Sequence, residues 1–342
     1  MLADVFESFR DVCLKPENYA LDPAHYVSAP QLSWDAMLKC TGVVLEQIAD
    51  PEMYRMIDSG MRGGVCVILQ RYAKANNPYM GAQYDPAQPI SYIVYDDMNN
   101  LYGYAMSKPL PYGAFEWVDL EQRKFTEGFW EYLSEDDETG YILDCDLEYP
   151  EAIHSAHNDY PLAPEKMLIN KEMLSEKQKE IQAAYAPYRG GRSIKLVPNL
   201  MGKRRYIIHS ANLRYYLEKG MKVTKLYAVI RFKQSAWLKP YIEKNQQLRA
   251  HAHNDFEKDF FKLMNNAIYG KTCENQKKRT NIRLVNTQKM CNKLRNKPHL
   301  LRWRQFGNDV AAIELKKVKL LIDKPFYVGF SVLELSKLAM YR

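Results

Sequence analysis

Two strand-patterned runs constrain this chain more than any other feature. "GYILDCDLEYP" (residues 140–150) alternates well enough to be a half-buried strand stopped by Pro150, and "KVTKLYAVIRFKQ" (222–234) reads as a second strand. Between them, "GGRSIKLVPNL" turns into a short strand, and "HSANLRYYLEKG" is a helix closed by Gly220, whose missing side chain suits a left-handed cap. A polar helix over 171–186 comes before both. This mixed order excludes a strict βαβα repeat and gives an α+β sheet with helices segregated to one side or end. A further strand, Ile90–Tyr95 in "ISYIVY", is expected to be buried and to end at two adjacent carboxylates, Asp96 and Asp97. The turn-rich "YAKANNPYMGAQYDPAQP" delivers the chain into it.

The first 75 residues read as mostly helical, with helical apolar spacing in "WDAMLKCTGVVLEQI". A chain of 342 residues exceeds one typical domain, so two or three lobes are expected. No apolar run approaches the roughly 20 residues of a membrane span. The N-terminus carries acids where an export signal would carry a basic flank. Six scattered cysteines form no CxxC pair, which fits reduced thiols. A soluble intracellular protein without a membrane partner is the expectation. The net charge of +7 gathers toward the C-terminus, where "GKTCENQKKRTNIR" and "KMCNKLRNKPHLLRWR" set Lys and Arg among Trp303 and Phe306. Such a stretch is either a solvated basic face or a surface that tracks phosphates.

The segment "NDFEKDFFKLMNNAIYGKT" is the best-bounded helix. Asn254 and Glu257 form a capping box and Gly270 supplies the exit, so a helix over Asp255–Tyr269 is expected, with Phe256, Phe260, Leu263 and Met264 as its apolar stripe. Lys262, Asn266 and Tyr269 lie at i, i+4 and i+7 and project together. One reading is a solvated lysine, a locally bonded amide and a packed phenol. The other is a cation for a triphosphate, an amide for a sugar or base edge, and a ring for base stacking, with strand-end carboxylates holding Mg²⁺ against the same phosphates.

Both stretches resemble motifs of the family B DNA polymerases, and within them the protein-primed branch of phages, adenoviruses, linear plasmids and Maverick/Polinton-type elements. "DMNNLYGYAM" is similar to the first palm motif, D-x-x-S-L-Y-P, and "KLMNNAIYGK" to the fingers motif, K-x-x-x-N-S-x-Y-G. The resemblance implies a right-hand polymerase architecture, a palm sheet with helical fingers, incomplete here. It implies a DNA-directed DNA polymerase that uses Mg²⁺ (or Mn²⁺), with primer-template DNA, deoxynucleoside triphosphates and a terminal priming protein as partners.

Carried over by position, the resemblance selects Asp97 rather than Asp96 as the catalytic metal ligand, because only Asp97 has Asn100, Leu101 and Tyr102 at the right offset. It gives Met98 a backbone carbonyl role at the metal and places Tyr102 under the sugar, where it excludes a 2′-hydroxyl. Arg249 and Lys262 would contact the triphosphate, Asn266 the nascent pair, and Tyr269 with Gly270 the base-pair pocket. Template contact falls to Arg62, Gly63 and Gly64 in "MRGG", since "YRGG" at 188–191 lies on the wrong side of Asp97. Lys271, Lys277, Lys278 and Arg279 complete the expected DNA contacts.

The implied layout is the tail of an exonuclease-like domain and linker over 1–75, and a palm with a terminal-protein-region-like insertion over 76–240. Fingers helices follow over 241–272, then a second insertion-like segment and a truncated return to the palm over 273–342. Gly103 stands for the usual proline and Asn100 for serine. The second catalytic acid, in a Y-x-D-T-D-S motif, is expected beyond "SVLELSKLAMYR", which leaves a non-catalytic DNA- or nucleotide-binding remnant as the alternative function. Asp144 and Asp146 share a strand face and are either a substitute metal pair or ordinary surface acids.

Overall fold

The computed structural model describes residues 2–70, 72–121, 137–184, 194–319 and 321–342. "YRGG" therefore lies outside the described residues.

A four-stranded sheet in the order β1-β6-β2-β5 forms from β1 (Leu110–Trp117), β2 (Thr139–Glu148), β5 (Lys203–His209) and β6 (Lys222–Ser235). Every pairing is antiparallel, in keeping with the α+β class. The strand expected to be half-buried, β2, is buried on both faces. Ile142 joins Ile207, Ile230 and Phe232 in the larger core, while Tyr141, Leu143, Cys145 and Leu147 enter a second core on the opposite face. Its central place between β6 and β5 is the cause, and sequence alternation does not report strand order.

The larger core is filled by helices. α11 (Phe326–Tyr341) is buried on every side over Tyr327–Leu338 and runs through the middle. Around it lie α2 (Ala29–Thr41), α3 (Pro51–Gly60), α4 (Leu101–Met106), α8 (Lys239–Ala250) and α9 (Asp255–Thr272). α2 stops at Thr41 because Gly42 takes a left-handed conformation (φ 62°), so the helical spacing that continues through "GVVLEQI" forms no helix. A separate three-stranded antiparallel sheet, β7-β9-β8, is built from β7 (Thr280–Val285), β8 (Leu300–Phe306) and β9 (Val310–Lys316). It closes its own small core with Cys291 and Leu294 of α10 (Gln288–Arg295). The polar segment expected to be helical from 171 becomes α-helical only at Glu176, giving α6 (Glu176–Ala184) up to the edge of the described residues, and "IKLVPNL" contains β4 (Lys195–Val197).

The expected buried strand at Ile90–Tyr95 is not one. Its backbone makes a single bridge, Asn76 to Ser91, and Val94 and Tyr95 are 71% and 93% exposed. An apolar run becomes a strand only when a neighbour takes up its N–H and C=O groups, and among the described residues no strand lies alongside.

Close approach explains one glycine. A Cβ on Gly60, at the end of α3, would stand 2.7 Å from Ile207 Cγ2 and 2.9 Å from Phe330 Cε2. Gly60→Ala is therefore expected to lower stability by about 1–3 kcal/mol through overpacking, measured by urea unfolding.

Candidate nucleotide-binding cleft

α8 and α9 form a hairpin whose second helix starts where the capping residues direct. Asn254 Oδ1 accepts the Glu257 N–H at 2.8 Å, and the Glu257 carboxylate reaches back to the N–H of His253 at 2.8 Å. The helix continues past its expected exit to Thr272, since Gly270 keeps helical geometry and the cap passes to Cys273. Its buried face is Phe260, Phe261, Met264 and Ile268, whereas Phe256 and Leu263 are exposed. This rotation leaves Lys262 and Asn266 exposed on the face toward the turn at 97–100.

A cleft of about 330 Å³ opens there, lined by Asp97, Asn99, Asn100, Gln246, Arg249, Lys262, Asn265 and Asn266. It brings together three stretches far apart in sequence: the turn after "ISYIVY", the last turns of α8 and the middle of α9. Asp97 lines it and Asp96 does not. Among the described residues neither Arg249 nor Lys262 is held in an ion pair, so both cations are available to an anionic ligand.

Beside the cleft, the rings of Tyr102 and Tyr269 stack with centroids 4.5 Å apart and planes at 16°. Burial pushes the Tyr269 phenol up from its ordinary pKa, so it is neutral at pH 7. Tyr102 is 37% exposed on the first turn of α4, and Met98 is similarly open. Gly270 is exposed on the last turn of α9. Asn100 enters α4 from the left-handed region (φ 56°, ψ 47°), which asparagine tolerates better than most residues. Its side chain folds over the helix so closely that a Cβ on Gly103 would collide with Asn100 Nδ2. The two departures from the palm motif are thus one coupled arrangement.

Several expected contacts are placed differently. Arg62 is buried: its Nη1 donates to Ile207 O at 2.8 Å, and its guanidinium lies 3.7 Å from the centroid of the Tyr206 ring. The Arg62 side chain expected to contact template is thus buried between α11 and β5 and occupied by protein partners, while Gly63 and Gly64 are exposed. Lys271 and Arg279 both pair with Glu274, at 3.4 and 2.6 Å, and Lys277 pairs with Asp58 at 2.7 Å. Lys278 is exposed.

Asp144 and Asp146 are committed elsewhere. Arg205 Nη2 lies 2.6 Å from Asp144, and Asp146 accepts the Arg205 N–H and the Tyr227 hydroxyl. Burial raises the pKa of Asp144 although Arg205 opposes the shift.

Sequence reasoning assigned no site role to Asn99, Asn100, Gln246 or Asn265, all of which line the cleft. Gln246 precedes Arg249 by three, a helical spacing that could have flagged it. Asn265 sits beside Asn266 in the motif and carried no separate signal.

The donors fit a hard cation by type. Asp97 offers a carboxylate and Asn99 and Asn100 offer amide oxygens, and Mg²⁺ is commonly held by one or two carboxylates plus substrate phosphates. Among the described residues Asp97 is the sole carboxylate of the cleft lining, and no group of three or more His, Cys, Asp or Glu could hold a metal. No helix among the described residues is long and apolar enough to cross a membrane.

Comparison with solved structures finds Phi29 DNA polymerase in an orthorhombic crystal form, with 13% identity, a TM-score of 0.48, and coverage of 91% of this chain and 44% of that one. It also finds the Phi29 enzyme complexed with primer-template DNA and incoming nucleotide substrates, with 16% identity, a TM-score of 0.45, and coverage of 98% and 46%. The chain thus spans less than half the length of these polymerases. No curated protein matches it. The family model for DNA polymerase type B, organellar and viral, matches residues 46–301. That match takes in the Asp97 turn, both helices of the hairpin and every residue lining the cleft, and the chain belongs to the organellar and viral type B DNA polymerases.

Proposed function

We propose that the cleft is the deoxynucleotide site of a DNA-directed DNA polymerase from a protein-primed replication system. The observation that carries this reading is that Asp97, Arg249 and Lys262, on three separate stretches of chain, line one cleft. An acid and two cations without ion-pair partners suit a ligand that is itself a polyanion with a divalent counter-ion.

In this reading Arg249 and Lys262 hold the triphosphate from two helices, which orients the α-phosphorus toward a primer 3′-hydroxyl. Asp97, with the Met98 carbonyl, would hold Mg²⁺. When bound, the ion would neutralise phosphate charge and lower the barrier to displacement. Asn266 contributes an amide beside the nascent pair. Tyr269 and Gly270 line the base side, and the Tyr102 ring, stacked on Tyr269, closes the sugar side. Gly63, Gly64 and Lys278 remain the expected DNA contacts with open surface. The arginine and lysines already paired with acids would have to exchange those partners for phosphates.

The sugar-side assignment has a direct test. Tyr102→Val opens space where a 2′-hydroxyl would sit and leaves Asp97 and Lys262 untouched. The ratio of deoxynucleotide to ribonucleotide affinity, titrated on the purified protein, is expected to fall several-fold. An unchanged ratio in a destabilised protein would assign Tyr102 to packing alone.

A further inference from the structure

The hairpin that carries the two cations is tied by a buried chain of polar groups that the reading above does not use. Asn245 on α8 and Asn265 on α9 are 0% and 5% exposed, and Asn245 Nδ2 donates to Asn265 Oδ1 at 2.8 Å. Asn265 Nδ2 donates to the Ile242 carbonyl at 3.3 Å, and the Tyr19 hydroxyl donates to Asn245 Oδ1 at 2.6 Å. The chain has a single polarity. A backbone carbonyl only accepts, so Ile242 orients the Asn265 amide, Asn265 orients Asn245, and Asn245 requires Tyr19 to be the donor.

Position gives the relay its consequence. Arg249 follows Asn245 by one helical turn, and Lys262 precedes Asn265 by three residues, while Asn265 itself lines the cleft. Leucines could pack across this interface at more than one offset. A pair of buried amides is satisfied at one offset only, because sliding either helix strands a donor and an acceptor without water.

We propose that Tyr19, Asn245 and Asn265 form a positioning relay that fixes the register of α8 against α9, and so the spacing of Arg249 and Lys262 toward the triphosphate. The nucleotide half of this proposal rests on the functional reading above. The register half does not. The relay also makes the segment between α1 (Leu2–Leu14) and α2, which contributes Tyr19, a structural determinant of a site it does not touch.

The test compares the double variant Asn245→Leu/Asn265→Leu with wild type by melting temperature, amide hydrogen exchange and titration with a deoxynucleoside triphosphate and Mg²⁺. Replacing both amides removes that donor and acceptor together but leaves the buried Tyr19 hydroxyl without its acceptor, so the melting temperature is expected to fall by a few degrees. Exchange along α8 is expected to quicken, and nucleotide affinity to fall about tenfold. Tyr19→Phe, which removes one hydroxyl far from the cleft, is expected to show the same pattern at smaller size and serves if the double variant does not fold. Unchanged exchange in a protein of unchanged melting temperature overturns the relay. Faster exchange with unchanged affinity, where Lys262→Ala does weaken binding, overturns the link to the site. If Lys262→Ala binds as wild type does, the nucleotide reading falls instead, and exchange alone decides the register.

Discussion

Glu334→Leu is expected to destabilise the protein by about 3–5 kcal/mol, the cost of stranding buried charge. Glu334 is 1% exposed on α11, with Lys337 Nζ 2.9 Å and Arg62 Nη1 4.0 Å from its Oε1. One carboxylate thus offsets two buried cations. Lys337 also donates to the Arg62 carbonyl at 3.0 Å, so this cluster anchors the start of the Gly63–Gly64 segment to the central helix. Burial pushes the Lys337 pKa down and Glu334 pushes it back up, so removing Glu334 lowers it further. Between that lowered value and the ordinary lysine range the unfolded chain binds the extra proton, so stability rises with pH there. The deficit of Glu334→Leu should therefore narrow as pH rises. Urea unfolding at two pH values measures both effects, and Glu334→Leu/Lys337→Met should recover part of the loss.

Lys262→Ala is expected to weaken deoxynucleoside triphosphate binding by roughly 10- to 100-fold, the worth of a charge-assisted contact of about 1.5–3 kcal/mol. The side chain is exposed and free of ion pairs among the described residues, so the fold should be unaffected. Lys239, paired with Glu243 at 3.7 Å on the first turn of α8, is the control. Lys239→Ala should leave affinity unchanged, and equal losses in both variants would mean that general positive charge attracts the nucleotide.

What the sequence made legible follows from how local each signal is. The cap at Asn254, the strand character of β2 and β6 and the turn at Gly220 are fixed by neighbours in the chain, and the structure has all of them. The resemblance to the polymerase family singled out Asp97, Arg249, Lys262 and Asn266, and the cleft lining contains these four. Long-range pairing was not legible. The apolar character of Ile90–Tyr95 says nothing of whether a neighbouring strand exists, and alternation in β2 cannot reveal that both its faces are covered. Arg62 reads as a template contact with Gly63 and Gly64 because "MRGG" resembles the family's template-binding motif. Only the tertiary fold shows Tyr206, Glu334 and Ile207 around it. The Asn245–Asn265 tie was hidden for the same reason, since two asparagines 20 residues apart carry no pairing signal.

The most direct test of the cleft as a nucleotide site is the Mg²⁺ dependence of deoxynucleoside triphosphate binding to wild type and to Asp97→Asn, measured by calorimetric titration. Wild type should bind more tightly with Mg²⁺ than without it. Asp97→Asn should lose that gain while keeping the Mg²⁺-free affinity set by Arg249 and Lys262. An equal gain from Mg²⁺ in both proteins would contradict the account, because Asp97 would then hold no ion against the triphosphate.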